Sequence, residues 1–279
     1  MPAALADAAV LGVLGLLVGS FLNVVIHRLP RMLERRWAVE CAELAGRDPG
    51  PAPSLDLVRP RSRCPHCGHA IRWYENIPVL SYLALRGRCS ACGKGIGARY
   101  PLVELATAGL FAYCGCKFGL SPAALVWSGF AAALVALALI DWDTQLLPDD
   151  ITLPLVWAGL IAAAFRWTGL PLAQALWGAV AGYLSLWLVY HGFRLLTGKE
   201  GMGYGDFKLF AALGAWFGWQ ALVPMILIAS VIGAMVGIAM KLRDRLGEGG
   251  AMPFGPFLAG AGLAGLLLGP ATLLDAVGL

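Results

Sequence analysis

The sequence predicts an all-α polytopic membrane protein of about eight transmembrane helices, with a small cytoplasmic zinc-ribbon-like domain inserted after the first helix. Three observations carry this expectation. Apolar stretches long enough to cross roughly 30 Å of hydrocarbon recur along the chain, which is 59% hydrophobic and 14% charged over 279 residues, far from the balance of a soluble globular domain. The one long polar stretch, from His27 to Tyr100, holds two CxxC pairs. The basic residues gather in alternate loops, as in a membrane protein of fixed orientation.

The first apolar run, Ala8 to Ile26, leads into His27 and Arg28 with no small-residue cleavage site before a secreted domain, so it is expected to remain as a helix. Its Gly19, Ser20 and Asn23 are expected to pack or hydrogen-bond against other helices. Further spans are expected at Leu102 to Phe118, Ala123 to Ile140, Ile151 to Phe165 and Leu172 to Phe193. Three weaker ones follow at Phe207 to Trp219, Leu222 to Met240 and Phe254 to Leu274; the first of these is short and reads as a tilted or partly buried helix.

With eight crossings, Lys117 and Arg166 fall on one side and the other 19 of the 21 Lys and Arg residues fall opposite. Positive charge stays cytoplasmic. The polar stretch, the loops after Ile140 and before Phe207, and Lys241 to Arg245 are therefore expected in the cytoplasm, with both termini periplasmic. The expected division is a first transmembrane helix (1–27), a cytoplasmic zinc-binding domain (28–100) and a transmembrane domain (101–279). The net charge of +4 adds little, and no nucleic-acid partner is expected.

Within the polar stretch, ERRWAVECAELAGR has helical spacing of apolar residues suited to a lipid surface or to a solvated helix, and DPGPAPSLD after it marks a linker. The cysteines read C-P-H-C, 21 intervening residues, then C-S-A-C, with Gly68 and Gly93 directly after the pairs. Each CxxC makes a tight knuckle that aims two thiolates at one ion, the glycine permits the turn, and Cys64, Cys67, Cys89 and Cys92 together satisfy a tetrahedral zinc. Two disulfides are the competing reading, disfavoured by the reducing compartment that the charge count assigns. His66 and His69 are not needed as ligands, and Cys41, Cys114 and Cys116 have no partner at metal spacing. Four thiolates leave no open position and the chain has no H-E-x-x-H helix, so the zinc is expected to be structural. It would fix the insertion WYENIPVLSYLALRGR, Trp73 to Arg88, whose apolar residues suit a membrane surface or a substrate.

Asp141 ends an apolar run from Ala131 to Ile140, with Asp143 two residues on, and Asp206 lies in GMGYGDFKL before the sixth span. A carboxylate at a helix end in lipid is costly and marks either a buried functional site or interfacial solvation. The glycines at 201, 203 and 205 allow close backbone approach. A phosphate cradle is the weaker reading, since no strand precedes them and the pattern is neither a Walker loop nor a dinucleotide fingerprint. If Asp141 and Asp206 meet, they share a proton, one acting as base toward a water and the other as acid toward a carbonyl, and they titrate as one unit. That chemistry hydrolyses a peptide without a covalent intermediate, and no G-x-S-x-G elbow offers a serine route. Asp149 and Asp150 read as the N-cap and first turn of the next helix. Glu104 and Lys208 are polar groups that a buried site would use, Glu104 equally a helix-packing hydrogen bond.

The segments GSFLNVVIHRLP, the paired CxxC motifs, NIPVLSYLALRGRC, RYPLVELATA, DWDTQLLPD, GMGYGDFKL and PFGPFLA occur in this order over nearly the whole chain. They resemble the type IV prepilin peptidases, in the long form that is both leader peptidase and N-methyltransferase. The resemblance implies a multi-pass aspartic endopeptidase of the bacterial inner membrane. Such an enzyme cuts the basic leader of prepilins and type II secretion pseudopilins after a glycine on the cytoplasmic side. It then methylates the new N-terminal residue with S-adenosylmethionine as donor. The resemblance also implies that Asp141 and Asp206 are the catalytic pair, and the choice of Asp141 over Asp143 comes from it alone. Residues two apart on a helix point in nearly opposite directions, so only one of the two readily faces Asp206. No recognisable nucleotide-binding fold marks a site for the methyl donor. Two other classes stand as rivals: a proton-coupled transporter, which should show an internal repeat that is not visible, and a zinc-anchored secretion scaffold whose aspartates are merely interfacial.

Overall fold

The structure is a computed structural model and describes residues 2–48, 55–199, 201–243, 252–276 and 278. Among the described residues every regular element is a helix, with no strand and two isolated bridges. The chain divides into two compact units, Met1–Leu120 and Ser121–Leu279. The prolines of the expected linker after Asp48, and the end of the basic segment beyond Arg243, lie outside the described residues.

In the first unit, α1 (Pro2–Leu44) runs unbroken from the apolar first span into the charged ERRWAVECAEL segment. Its 43 residues make it about 64 Å long, twice the hydrocarbon thickness of a bilayer. It pairs with α3 (Arg99–Phe118). Small residues let the two backbones approach, as in membrane helix pairs generally. A Cβ on Gly15 would stand 2.7 Å from the Cα of Ala108, and one on Gly19 2.7 Å from the Cα of Glu104. Asn23 Nδ2 donates to Gly19 O within its own helix (3.3 Å) and to Tyr100 O in the first turn of α3 (3.1 Å). Gly19 and Asn23 therefore serve helix pairing, as expected of polar and small positions in an apolar span.

The segment between α1 and α3 is tied back to both. Arg28, buried near the middle of α1, donates to Asp56 O (3.0 Å) and Pro60 O (2.7 Å). A 3-10 turn (Trp73–Asn76) and the short α2 (Leu80–Ala84) form the insertion between the cysteine pairs. Glu104, buried in α3, accepts the N–H of Val79 at 2.8 Å. Val79 has φ 60°, a conformation that a β-branched residue holds only under restraint. Of the two roles open to Glu104 from sequence, a structural hydrogen bond is the one seen.

The second unit is built around α7 (Tyr204–Phe217), with α4 (Pro122–Thr144), α5 (Asp149–Ala164), α6 (Leu172–Thr197), α8 (Leu222–Leu242) and α9 (Gly255–Leu268) packed against it or each other. Phe207, Leu209, Ala212, Leu213 and Ala215 have no exposed surface. At 14 residues, about 21 Å, α7 is the short span expected to be partly buried, and it proves to be the core helix. Gly178 of α6 and Gly214 of α7 cross so closely that each carbonyl oxygen occupies the place of the other's Cβ. Trp216 donates through Nε1 to Leu155 O of α5 (2.9 Å) and lies tilted by 36° against Phe130, with ring centroids 4.5 Å apart.

The last expected span, Phe254 to Leu274, is interrupted. Gly269 takes φ 88° and Pro270 begins a separate short helix, α10 (Pro270–Ala276). Proline lacks the N–H and clashes with the preceding turn, so the helix cannot run through it. Among the described residues, four helical stretches are long and apolar enough to cross a membrane: Ala3–Leu44, Pro122–Thr144, Leu172–Thr197 and Trp219–Leu242; Gly255–Leu268 is apolar but shorter.

Candidate active site and metal centre

The aspartates highlighted in the sequence come together at one end of the second unit. Asp141 sits in the last turn of α4, where Gln145 in left-handed conformation ends the helix through a bond to Asp141 O (2.8 Å). Its side chain turns inward and is 5% exposed, whereas Asp143 is exposed. The periodicity of the helix thus separates the two carboxylates, as residues two apart require. Asp206 lies in the first turn of α7 and is 7% exposed. Gly203 caps that turn, its carbonyl accepting the Asp206 N–H (3.2 Å). The two buried carboxylates are near enough to act on each other electrostatically.

Three backbone segments close around them. The N–H of Gly255, at the start of α9, donates to Asp141 Oδ2 at 2.9 Å. A Cβ on Gly255 would lie 2.6 Å from that oxygen and 3.1 Å from Leu147 Cδ1, and a Cβ on Gly205 would lie 2.6 Å from Leu147 Cβ. Leu147 is therefore wedged between the glycine next to Asp206 and the glycine that binds Asp141. Asp206 Oδ1 is buried with no hydrogen-bond partner among the described residues, a state that costs roughly 1–3 kcal/mol when nothing satisfies it. The arrangement offers one carboxylate oxygen fixed by a backbone donor and one left without a partner.

Lys208 and Asp149 form their own pair, with Lys208 Nζ 2.6 and 2.7 Å from the two oxygens of Asp149. Asp149 and Asp150 occupy the first turn of α5 as expected, but the N-cap is Pro148, a correction to the expected capping role. Proline tolerates that place because a helix start leaves its N–H groups unbonded. Gly255 and Leu147 were not singled out as site residues in the sequence. The available signal was P-F-G-P: its prolines have no N–H, leaving Phe254 and Gly255 as the segment's only backbone donors.

In the first unit Cys64, Cys67, Cys89 and Cys92 bring their sulfurs within 4.8 Å of one another. The Cys64–Cys92 and Cys67–Cys89 sulfur distances are 3.9 and 4.0 Å. Four thiolates about 2.3 Å from a tetrahedral zinc stand about 3.8 Å apart, so the cluster fits that ion. The knuckles are two copies of one turn. In each, the first cysteine's N–H bonds to the residue five on (His69 O or Lys94 O, both 2.9 Å), and the glycine N–H returns to the first cysteine's carbonyl (2.9 Å). Gly68 and Gly93 have φ 72° and 69°, the left-handed region in which glycine avoids the penalty other residues meet. The Cys67 and His66 N–H groups point at Cys64 and hold its thiol down at about 6, toward the thiolate that a metal needs. His69 stands outside the cluster, 3.3 Å from Glu75, and Cys41, Cys114 and Cys116 are likewise not part of it.

Comparison with known proteins follows the same division into units. Residues 13–118 match the family model for the bacterial peptidase A24 N-terminal domain, and residues 128–238 match the type IV leader peptidase family. A prepilin leader peptidase/N-methyltransferase of Pseudomonas aeruginosa is 57% identical over 258 residues, covering 92% of this chain and 88% of its own length. One of Burkholderia pseudomallei is 54% identical over 260 residues, 92% and 84% of the two chains. That of Aeromonas hydrophila is 52% identical over 263 residues, 91% and 88%. No solved structure matches the chain significantly. With identity at this level over nearly its full length, the chain belongs to the type IV leader peptidase family, in the form named prepilin leader peptidase/N-methyltransferase.

Proposed function

We propose that this protein is a membrane aspartic endopeptidase that removes the leader of type IV prepilins and type II secretion pseudopilins at the cytoplasmic face. It then methylates the new N-terminal amine, using S-adenosylmethionine. The observation that carries the reading is the pair of buried aspartates, Asp141 and Asp206, within electrostatic reach of each other beside the start of α9.

Asp141 and Asp206 hold one proton between them, because two adjacent carboxylates in a low-dielectric site do not both stay ionised. The Gly255 N–H fixes Asp141 Oδ2 as an acceptor. The ionised member takes a proton from a water while the protonated member donates to the scissile carbonyl oxygen, giving a tetrahedral diol. Its collapse breaks the C–N bond as the departing amine receives a proton. Gly203, where an added Cβ would meet nothing nearer than Asp206 Oδ2 at 3.9 Å, leaves room for an unwound substrate backbone beside Asp206. A prepilin has an apolar helix in the bilayer and a basic leader at its inner surface, so its scissile bond falls at headgroup depth, where the ends of α4 and α7 are proposed to lie.

Cys64, Cys67, Cys89 and Cys92 are proposed to hold a structural zinc. Eight crossings, with both termini periplasmic, are supported by the strongly uneven loop charge. In this topology 1–27 forms the first crossing, 28–100 the cytoplasmic domain and 101–279 the remaining crossings with the peptidase centre. The bound methyl donor would supply an electrophilic methyl group to the lone pair of the freed amine.

The test is prepilin processing by purified protein in detergent. Asp141→Asn and Asp206→Asn are each expected to lower leader cleavage by at least about a thousandfold, because neither an acid nor a base can be dispensed with in such a pair. Asp143→Asn is expected to cleave normally. Full cleavage by folded Asp141→Asn and Asp206→Asn proteins would overturn the assignment of this pair as the catalytic groups.

A further inference from the structure

The second activity needs a place for its donor, and two clefts among the described residues have the volume for one. One, of about 440 Å³ in the second unit, is lined by Gly233, Ala234, Gly237, Met252 and Phe254, with Lys241 as its one charged residue. The other, of about 480 Å³ in the first unit, is lined by His69, Arg72, Tyr74, Glu75, Ala84 and Ser90 among others. Both volumes fall in the range of small-molecule sites, roughly 300–1,000 Å³. Their chemistry differs. S-adenosylmethionine carries a carboxylate, an ammonium, a sulfonium and a flat purine, so it requires charges of both signs and an aromatic or apolar face. Of the two, the cleft in the first unit has them.

From this fit we propose that the cleft beside the cysteine knuckles binds the methyl donor, with Arg72 receiving its carboxylate, Glu75 balancing its positive charges and Tyr74 offering a ring to the purine. The inference rests on the methyltransferase half of the proposed function. Arg72 Nη1 bonds to Tyr74 Oη at 2.6 Å, which positions the guanidinium and leaves its other N–H groups for a carboxylate, the planar partner that arginine prefers. Glu75 Oε2 accepts the Arg72 N–H at 2.8 Å and stands 3.3 Å from His69 Nε2. The Ser90 hydroxyl and the Arg72 N–H pull its carboxyl down to about 2, so it is ionised wherever the enzyme works. Aromatic rings and carboxylates both stabilise a sulfonium, which has no N–H to donate and is attracted by charge alone. Ala84 and Leu85 of α2 supply the apolar floor. Two knuckle residues, Ser90 and Ala91, form a wall, so the cysteine cluster shapes the cleft without touching its contents.

The experiment is equilibrium dialysis of radiolabelled S-adenosylmethionine against full-length protein in detergent. Leader cleavage, whose aspartates lie in the other unit, serves as the folding control. Arg72→Met is expected to weaken binding about tenfold or more, the loss of a charge-assisted contact, and Ala84→Phe to abolish it by filling the floor. Photolysis with an azidoadenosyl analogue is expected to label wild-type protein within residues 72–91. If both variants cleave and still bind the donor as wild type does, or the label falls elsewhere, the cleft is not the donor site even though methylation proceeds. If wild-type protein cleaves leaders yet neither binds the donor nor methylates the product, the methyltransferase reading fails first and the cleft assignment with it.

Discussion

Asp141 and Asp143 differ by two positions and by everything that matters to an acid: one is buried against a backbone N–H, the other exposed. The N–H that meets Asp141 comes from Gly255, the glycine opposite it. Gly255→Ala would push a methyl to 2.6 Å from Asp141 Oδ2 and 3.1 Å from its Cγ, so the carboxylate must turn or α9 must retreat. Displacement of about 1 Å at a reacting group costs on the order of a hundredfold. Leader cleavage by Gly255→Ala is therefore expected to fall about a hundredfold, while Gly260→Ala in the same helix, which meets nothing within 4 Å, stays at the wild-type rate. Equal rates for the two variants would mean that Gly255 has no part in holding Asp141. The sequence made the two aspartates visible because charge at the end of an apolar run is conspicuous. Gly255 was not visible in this way, since a backbone donor has no side chain to mark it and its partner lies 114 residues away.

At the scale of elements, legibility followed the physics of each signal. The cysteine knuckles were readable in detail because CxxC-G dictates its own turn through local bonds, and the glycines take the φ expected of them. Removing one ligand tests the knuckle pair as a metal site. Purified protein is expected to carry close to one zinc per chain, and Cys64→Ser to lose most of it, since a four-thiolate site depends on every ligand; zinc retained at wild-type level by that variant would refute the assignment. The last apolar run reads as one helix in the sequence because hydrophobicity reports burial and not backbone continuity, and Gly269 with Pro270 breaks it. The α6–α7 crossing was also hidden: Gly178 and Gly214 look like ordinary glycines until the two carbonyls are seen where side chains would be. Gly178→Leu is expected to destabilise the second unit by roughly 3 kcal/mol or more, read as a large drop in melting temperature, whereas Gly129→Leu, with open space around it, leaves it nearly unchanged.

For the whole molecule, the decisive element is a short one, α7. Length and apolarity alone qualify four helical stretches among the described residues as spans, and α7, at 14 residues, would fall short of the hydrocarbon thickness if it met lipid. It does not meet lipid, because neighbouring helices bury nearly its whole circumference, and a helix shielded by protein need not match the bilayer thickness. Whether it crosses decides the fate of the basic residues on either side of it. Lys199 precedes α7 and Arg243 follows α8, and both are exposed. If α7 and α8 each cross, both residues are cytoplasmic and obey the preference of positive charge for that side. If α7 does not cross, they lie on opposite faces and Arg243 sits in the periplasm. Cysteines placed at 199 and 243, in turn, in protein lacking Cys41, Cys114 and Cys116, distinguish the two arrangements with a membrane-impermeant maleimide. Both are expected to be silent in intact cells and labelled in inverted vesicles, while cysteines at 117 and 166 show the reverse. Labelling of 243 but not of 199 in intact cells would remove α7 as a crossing.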